Sequence, residues 1–171
     1  KLKQQGSIIN ASKADVSASQ ANLGRTQIDL NRAQALRKPG FVSEERVTTL
    51  AADSRVASSH VSKAEADLRA ARAFFYESID RAWEYVLAGD AVPVAATNLL
   101  RLSSTHATRV AADVARTAQM LSGMSGVYND SPLARCVNDA QVVTQHAFMG
   151  DITYQNAGAM FFGKQPLPGY L

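Results

Sequence analysis

The side chain best suited to acid–base chemistry in this sequence is His146, which lies in the stretch Thr144-Gln-His146-Ala-Phe. An imidazole titrates near neutral pH, so it can take a proton from a reacting group or give one to it. No glutamate is available nearby, because the last glutamate of the chain is Glu84. By position alone, an ordinary histidine on a helix face is the simpler interpretation.

The other potential metal ligands and nucleophiles are few and scattered. We expect His60 in a solvated seam and His106 within a helix, both with structural roles. Three histidines without clustered cysteines or acids predict no metal site. Cys136 is the only cysteine, so the chain cannot form an internal disulfide.

The composition is that of a globular protein, with 46% hydrophobic and 19% charged residues. No run of 18 apolar residues occurs, so no membrane span is expected. Residues 1–72 hold 12 Lys and Arg against 7 Asp and Glu, whereas residues 73–171 hold 6 against 8. Neither part is basic enough to predict nucleic-acid binding, but the asymmetry suggests two origins. The chain begins with Lys1 and shows no signal-peptide pattern, so we expect a fragment or a processed form.

Heptad spacing predicts a long antiparallel helical hairpin. The first arm, Ser7–Lys38, has an apolar residue every seven positions and ends at Pro39-Gly40. Ser43, followed by two glutamates, is expected to cap the second arm. Its seam residues are Val47, Leu50, Ser54, Ala57, Val61, Ala64, Leu68, Ala71 and Phe75.

The second arm is expected to continue into a helical bundle, which makes the predicted fold all-α. Larger residues after position 75, including Trp83 and Val86, predict entry into a thicker core before Gly89 ends the helix. Further helices are predicted over 94–121, with a stripe that includes Ala96, Ala111 and Ala118, and from Pro132 to about Met149. A short last helix is expected to be capped by Asp151, and the loop Ser122–Ser131 connects the second and third helices of this bundle.

Several motifs in residues 48–171 resemble the C-terminal helical domain of acyl-CoA-dehydrogenase-like flavoenzymes, especially flavin-dependent monooxygenases of aromatic or sulfur-containing substrates. They are Leu102-Ser-Ser-Thr-His106-Ala, Ser122-Gly-Met-Ser-Gly-Val-Tyr128, Pro132-Leu-Ala-Arg135-Cys-Val-Asn-Asp139 and Thr144-Gln-His146-Ala-Phe. The resemblance implies a bundle that packs on a flavin, FAD or reduced FMN, and forms a homo-oligomer. It also implies that His146 is the catalytic base or stabilises the oxygenated flavin, whereas a true dehydrogenase uses a glutamate.

The same resemblance implies cofactor contacts at Ser122, Gly123, Arg135 and Asp139. The sequence departs from the family pattern at two points. The family often has two adjacent glycines where this chain has Ser122-Gly123, and an Arg-Asp pair where it has Asn138-Asp139. The alternative is a helix connection whose glycines only permit positive φ. Because the rest of the flavin site is missing, we expect the chain alone to bind no flavin.

Residues from about 1 to 50 resemble the α-hairpin arm and tip of HlyD-type membrane fusion proteins, which are periplasmic adaptors. The tip motif is an arginine, a leucine four residues later and a serine seven residues after that, matched by Arg32, Leu36 and Ser43. This resemblance implies docking on an outer-membrane channel through those three residues. The alternative is a helix end with a Pro-Gly turn and a serine cap.

The sequence therefore predicts two domains: residues 1–47, an adaptor-like hairpin arm and tip, and residues 48–171, a flavoenzyme helical domain. The leading functional hypothesis is a partial flavin-dependent oxidoreductase or monooxygenase, cytoplasmic and inactive alone. The second is a periplasmic adaptor hairpin. A third is a helical oligomerisation piece with no site.

Overall fold

A computed structural model describes residues 24–37, 43–128 and 131–170, except for the side chain of Ser125. Within these ranges the chain is helical and contains no β-strand, which confirms the all-α prediction. Helix α1 covers residues 24–37, and four further α-helices follow: α2 (Glu44–Ala88), α3 (Val94–Leu121), α4 (Pro132–Thr144) and α5 (Ile152–Phe161). Short 3-10 turns cover Gly123–Gly126 and Ala147–Met149.

The predicted antiparallel hairpin is formed by α1 and the first turns of α2. Leu30 and Ala33 of α1 are buried together with Val47 of α2, and Leu50 and Ala51 pack against this cluster. Where the two helices face each other at the connection, Arg37 and Glu44 form an ion pair of 2.7 Å. The seam is thin because its side chains are few and small. The first-arm residues 7–23 and the Pro39-Gly40 turn lie outside the described residues.

Both ends of α2 are where the sequence signals place them. The Ser43 hydroxyl accepts a hydrogen bond from the Arg46 backbone N–H at 3.2 Å, which satisfies one of the unpaired amides of the first turn. At the other end Gly89 has a φ of +77°, and the N–H of Asp90 reaches back to the carbonyl of Tyr85 at 2.9 Å. Glycine takes this left-handed conformation without the steric cost of a Cβ, so the helix stops there.

The predicted seam of α2 is correct. The prediction that the apolar face of this helix widens into a thicker core near residue 83 is wrong. All nine predicted seam residues from Val47 to Phe75 are buried or half-buried. Beyond them the interior positions are the small Ser78 and Ala82, whereas Trp83 is 57% and Val86 is 48% exposed. Adjacent residues of a helix point about 100° apart, since a turn holds 3.6 residues, so the large Trp83 cannot share the face of Ala82.

Helix α3 buries polar residues that an apolar stripe does not predict. Asn98, Ser103 and Thr105 are at most 2% exposed, while Ala111 of the predicted stripe is exposed. The end positions Ala96 and Ala118 are buried, as expected.

The prediction that the helix from Pro132 continues to about Met149 is wrong. Helix α4 ends at Thr144, whose hydroxyl donates to the Gln141 carbonyl at 2.7 Å. His146 then adopts an extended conformation (φ −66°, ψ 137°), so it does not lie on a helix face. Asp151 does precede α5, but its side chain makes no capping hydrogen bond and pairs with Arg109 instead.

The described chain divides into two compact units. One comprises the residues up to Glu65 together with Ala115–Val137, and the other comprises Ala66–Val114 and the chain from Asn138 onward. Helix α2 runs without interruption through residues 47 and 48, where the sequence places a domain boundary. None of the described helices combines the length and apolarity needed to cross a membrane.

Candidate functional site

His146 occupies the connection between α4 and α5, in the second unit. Its Nδ1 accepts a hydrogen bond from the Phe148 backbone N–H at 3.3 Å, and its ring lies 5.5 Å from the Phe148 ring centroid. Because Nδ1 is the acceptor, the hydrogen of the neutral imidazole sits on Nε2. The side chain is exposed, so the structure presents a fixed imidazole whose outer nitrogen is a donor.

Buried threonine hydroxyls hold the segment that carries His146. The Phe148 carbonyl accepts hydrogen bonds from Thr105 of α3 at 3.2 Å and from Thr153 of α5 at 3.1 Å. The Thr108 hydroxyl lies 3.7 Å from the Met149 sulfur. Since Thr105 and Thr153 are at most 1% exposed, these bonds are shielded from water. The 3-10 turn is thus anchored from two helices.

A guanidinium and two aromatic rings adjoin this segment. The Arg101 guanidinium carbon lies 4.8 Å from the Phe148 ring centroid and 4.7 Å from that of Tyr170, distances typical of cation–π contacts. The Tyr170 hydroxyl donates to Asn98 Oδ1 at 2.9 Å. Burial raises the pKa of Tyr170 above its ordinary value of 10.0, and the charge of Arg101 opposes this rise.

A second charged group lies at the start of α5. Arg109 of α3 pairs with the Asp151 carboxylate at 2.9 Å. Burial is the main cause that raises the pKa of Tyr154 above 10.0. Arg109 lowers this pKa, while Asp151 and Asp113 raise it further. Tyr154 therefore stays protonated near neutral pH.

The loop after α3, in the first unit, is shaped by its own contacts. Gly123 has a φ of +59°, and the Ser122 hydroxyl donates to the Gln119 carbonyl at 2.7 Å. Gln119 in turn donates from Nε2 to the Gly126 carbonyl at 3.1 Å. A Cβ added at Gly126 would meet Ser122 Oγ at 1.8 Å, so a larger residue would displace the Ser122 hydroxyl from its place in the loop. The Ser122 donor is therefore committed within the loop.

The two α4 residues predicted to contact a cofactor are both exposed. Arg135 and Asp139 lie one helical turn apart on the same face. An exposed guanidinium suits a phosphate group, so Arg135 fits an anionic cofactor, whereas Ser122 can offer only its oxygen as an acceptor. His146 belongs to the second unit, and Ser122, Gly123 and Arg135 belong to the first.

The three predicted tip residues of the hairpin are also on the surface. Arg32 and Leu36 lie one turn apart on α1, with Leu36 39% exposed, and Ser43 is the cap of α2. The serine therefore has a structural role in this chain whether or not it has a partner.

Four residues that surround this segment were not predicted from the sequence: Arg101, Asn98, Thr105 and Tyr170. Their contacts join residues 43 to 72 positions apart, which no local spacing reveals. The only available signal was the polar run Ser103-Ser104-Thr105 inside an otherwise apolar helix pattern. Among the described residues, no group of three or more His, Cys, Asp or Glu side chains is placed to hold a metal ion.

Comparisons with known proteins give a family for the larger part of the chain. Residues 41–151 match the family described as acyl-CoA dehydrogenase, C-terminal domain. The chain is 82% identical over 120 residues to an indole-3-acetate monooxygenase of Pseudomonas putida. It is 49% identical over 109 residues to an indole-3-acetate monooxygenase of Acinetobacter baumannii.

These matches cover 70% and 64% of this chain but only 31% and 28% of the two relatives, so the chain spans about a third of their length. A solved structure, 3-HSA hydroxylase from Rhodococcus sp. RHA1, has a similar fold with a TM-score of 0.65. It is 20% identical in sequence, and the match covers 94% of this chain and 42% of that one.

Proposed function

Since this chain belongs to the acyl-CoA dehydrogenase C-terminal domain family, we propose that it is the helical domain of a flavin-dependent monooxygenase that acts on an aromatic compound. The observation that carries the proposal is the 82% identity with a relative named indole-3-acetate monooxygenase. The absence of any glutamate after Glu84 also favours oxygenation over the α-proton abstraction of a dehydrogenase. We also propose that the protein carries out this activity in the cytoplasm.

His146 is the proton-transfer residue of this proposal. Its Nδ1 is held by the Phe148 N–H, so the neutral ring acts through the hydrogen on Nε2. The neutral ring can therefore donate a hydrogen bond from Nε2 to an oxygen on the substrate or cofactor. It takes up a proton at Nδ1 only when the bond from the Phe148 N–H opens, and the resulting imidazolium can then give its Nε2 proton to that oxygen. The threonine bonds to the Phe148 carbonyl hold the segment that carries the imidazole.

The cofactor is FAD or reduced FMN, and it belongs to the complete enzyme. A bound flavin would supply the activation of molecular oxygen. From this chain Arg135 would contact a phosphate, while Ser122, Gly123 and Asp139 would lie at the cofactor's edge. We expect no tight flavin binding by the 171-residue chain alone, since the chain spans only about a third of its relatives. A stoichiometric flavin titration of the isolated chain would contradict this point.

The monooxygenase proposal is tested by grafting residues 41–151 into the corresponding part of the Pseudomonas putida relative. The chimera should hydroxylate indole-3-acetate with coupled oxygen uptake. His146→Gln should lower the turnover number by about 10²–10⁴-fold, the usual contribution of a general acid or base. His60→Gln is the control, because His60 is an exposed histidine on α2.

A folded chimera without any hydroxylation would contradict the proposed function. Full turnover after His146→Gln would contradict the role of His146 alone.

We further propose that the domain assembles with other copies of itself. Several large apolar side chains near the end of α2 are exposed, with Trp83 at 57% and Leu87 at 72%. Contiguous exposed apolar surface is typical of an interface. Sedimentation of the chain should show a species larger than a monomer, and a single monomeric species would contradict the proposal.

The hairpin tip supports a second candidate function, that of a periplasmic adaptor. Arg32 and Leu36 present a cation and an apolar knob one turn apart on an exposed face of α1. This pair suits docking on an outer-membrane channel. The chain should retain such a channel in a pull-down, Arg32→Asp and Leu36→Ser should each abolish retention, and Arg25→Asp, also exposed on α1, should not. Failure of the unsubstituted chain to retain a channel would remove this candidate.

A further inference from the structure

Arg101 is a half-buried cation without an anionic partner in the described structure. Arg37 and Arg109 pair with Glu44 and Asp151, but among the described residues no carboxylate lies within ion-pair distance of Arg101. Its Nε is buried with no hydrogen-bond partner. A guanidinium stays charged at any physiological pH, and a charge partly removed from water is costly unless an anion or hydrogen-bond acceptor compensates it. Arg101 as a whole is only half-buried, so part of its side chain still faces solvent.

The position of this cation is fixed by its aromatic neighbours. Tyr170 is held by its hydrogen bond to Asn98, and Phe148 is held through its carbonyl by Thr105 and Thr153. Because the Tyr170 ring and the Phe148 backbone are anchored, the guanidinium that contacts both residues loses little freedom when it binds an anion. A cation arranged in this way is suited to binding a carboxylate through two parallel hydrogen bonds.

The same aromatic ring links the cation to the proposed proton-transfer residue. Phe148 lies within 4.8 Å of the Arg101 guanidinium carbon and within 5.5 Å of the His146 ring centroid. The Phe148 side chain is 53% exposed, so it offers apolar surface to a ligand. A molecule with a carboxylate and an aromatic ring would meet a cation, an apolar ring and a proton donor in that order.

We infer that Arg101 binds the carboxylate of an aromatic-acid substrate and orients its ring along Phe148 toward His146. This inference rests on the proposed monooxygenase function, whose substrate class it specifies. Arg101 thereby acts as a specificity-determining residue: it distinguishes the acid from a neutral analogue of the same shape.

The test is binding of two matched ligands to the 171-residue chain, measured by ligand-observed NMR without flavin. Indole-3-acetate should bind at least about tenfold more tightly than indole-3-acetamide, since hydrogen bonds to a charged group are stronger than those to a neutral amide. Arg101→Met should abolish this preference, and Arg101→Lys should keep part of it. Arg72→Met is the control, because Arg72 also contacts a ring, that of Tyr76 at 5.0 Å, but on the exposed face of α2.

Equal affinities for the acid and the amide, or a preference that survives Arg101→Met, would overturn the inference. A loss of preference in Arg72→Met as large as in Arg101→Met would also overturn it, because the effect would then be general electrostatics. Failure of the monooxygenase proposal would give a different result. The chimera with the Pseudomonas putida relative would not hydroxylate indole-3-acetate, while the 171-residue chain would still bind indole-3-acetate more tightly than indole-3-acetamide.

Discussion

The Tyr170 hydroxyl donates a 2.9 Å hydrogen bond to Oδ1 of Asn98, 72 residues earlier in the chain. Tyr170 is 4% and Asn98 is 2% exposed, so the bond is fully shielded from water. A second bond, from the Leu167 N–H to Asn156 Oδ1 at 2.7 Å, holds the same tail against α5. The Pro- and Gly-rich tail is thus ordered by side-chain amides of two helices, and it delivers the Tyr170 ring to Arg101.

Removing this hydroxyl should destabilise the protein. Tyr170→Phe keeps the ring but leaves the buried Asn98 oxygen without its donor, at a cost of about 1–3 kcal/mol in the free energy of unfolding. Chemical denaturation monitored by circular dichroism measures this difference. Tyr76→Phe, at a tyrosine 42% exposed, is the control and should change the unfolding free energy by less than about 0.5 kcal/mol. Equal effects of the two variants would show that the bond contributes nothing.

Stability should fall in alkaline solution because of Tyr170 and Tyr154. Burial raises the pKa of both phenols in the folded chain, so their contribution is complete below about pH 10, where an unfolded tyrosine titrates. As the pH rises from about 10 through the higher folded values, the unfolded chain ionises first and stability is lost. Denaturation midpoints between pH 8 and pH 11 measure this loss.

Two variants identify the tyrosines responsible. The double variant Tyr154→Phe, Tyr170→Phe should show a flatter pH dependence than the parent chain above pH 10. Tyr128→Phe, at a side chain 59% exposed, removes one phenol as a control and should leave the slope nearly unchanged. A double variant with the parent's slope would refute the assignment.

Adding one methyl group at Gly126 should disrupt the loop after α3. In Gly126→Ala the new Cβ would lie 1.8 Å from Ser122 Oγ and 3.1 Å from the Gln119 carbonyl oxygen. The Ser122 hydroxyl must then leave its hydrogen bond to Gln119 or the loop must shift, at a cost of about 1–3 kcal/mol. Gly158→Ala is the matched control, since nothing lies within 4 Å of its added Cβ inside α5. There the change should stabilise by about 0.5–1 kcal/mol. Thermal unfolding should therefore show a lower midpoint temperature for Gly126→Ala and a higher one for Gly158→Ala than for the parent chain.

The serine at the hairpin tip should contribute more to stability than the ion pair beside it. Ser43→Ala removes the cap of α2 and should cost about 1 kcal/mol. Arg37→Met breaks a pair whose side chains are 51% and 75% exposed, and such pairs contribute at most about 1 kcal/mol and often nothing. Urea denaturation in low and high salt distinguishes them, because only the ion pair should weaken with salt. A salt-dependent loss in Ser43→Ala would contradict the capping role.

The alternation of helices and their ends follows from short-range rules that the sequence displays directly. Ser43 caps the start of α2, Gly89 follows its last residue, and Pro132 is the first residue of α4. These signals can be read from the sequence because a cap or a positive φ depends on only one or two residues. The family region was also recognisable, since the motifs around Ser122 and Arg135 are contiguous. One helix end was predicted wrongly. Helix α4 ends at Thr144, five residues earlier than predicted, and the Thr144 hydroxyl donates a hydrogen bond to the Gln141 carbonyl of the last turn.

By itself the sequence determined an all-α chain, the seam of its hairpin and the membership of its larger part in a flavoenzyme family. Only the tertiary structure decided that His146 lies off the helix with Nδ1 occupied, and that Arg101 lies beside Phe148 and Tyr170. Caps and periodicity depend on neighbours within a turn or two. The Arg101 contacts, and the Thr105 bond that holds the segment with His146, instead join α3 to residues more than about 40 positions later. Such contacts depend on how buried hydroxyls and amides find partners once the helices pack, and that pairing has no signature in the local sequence.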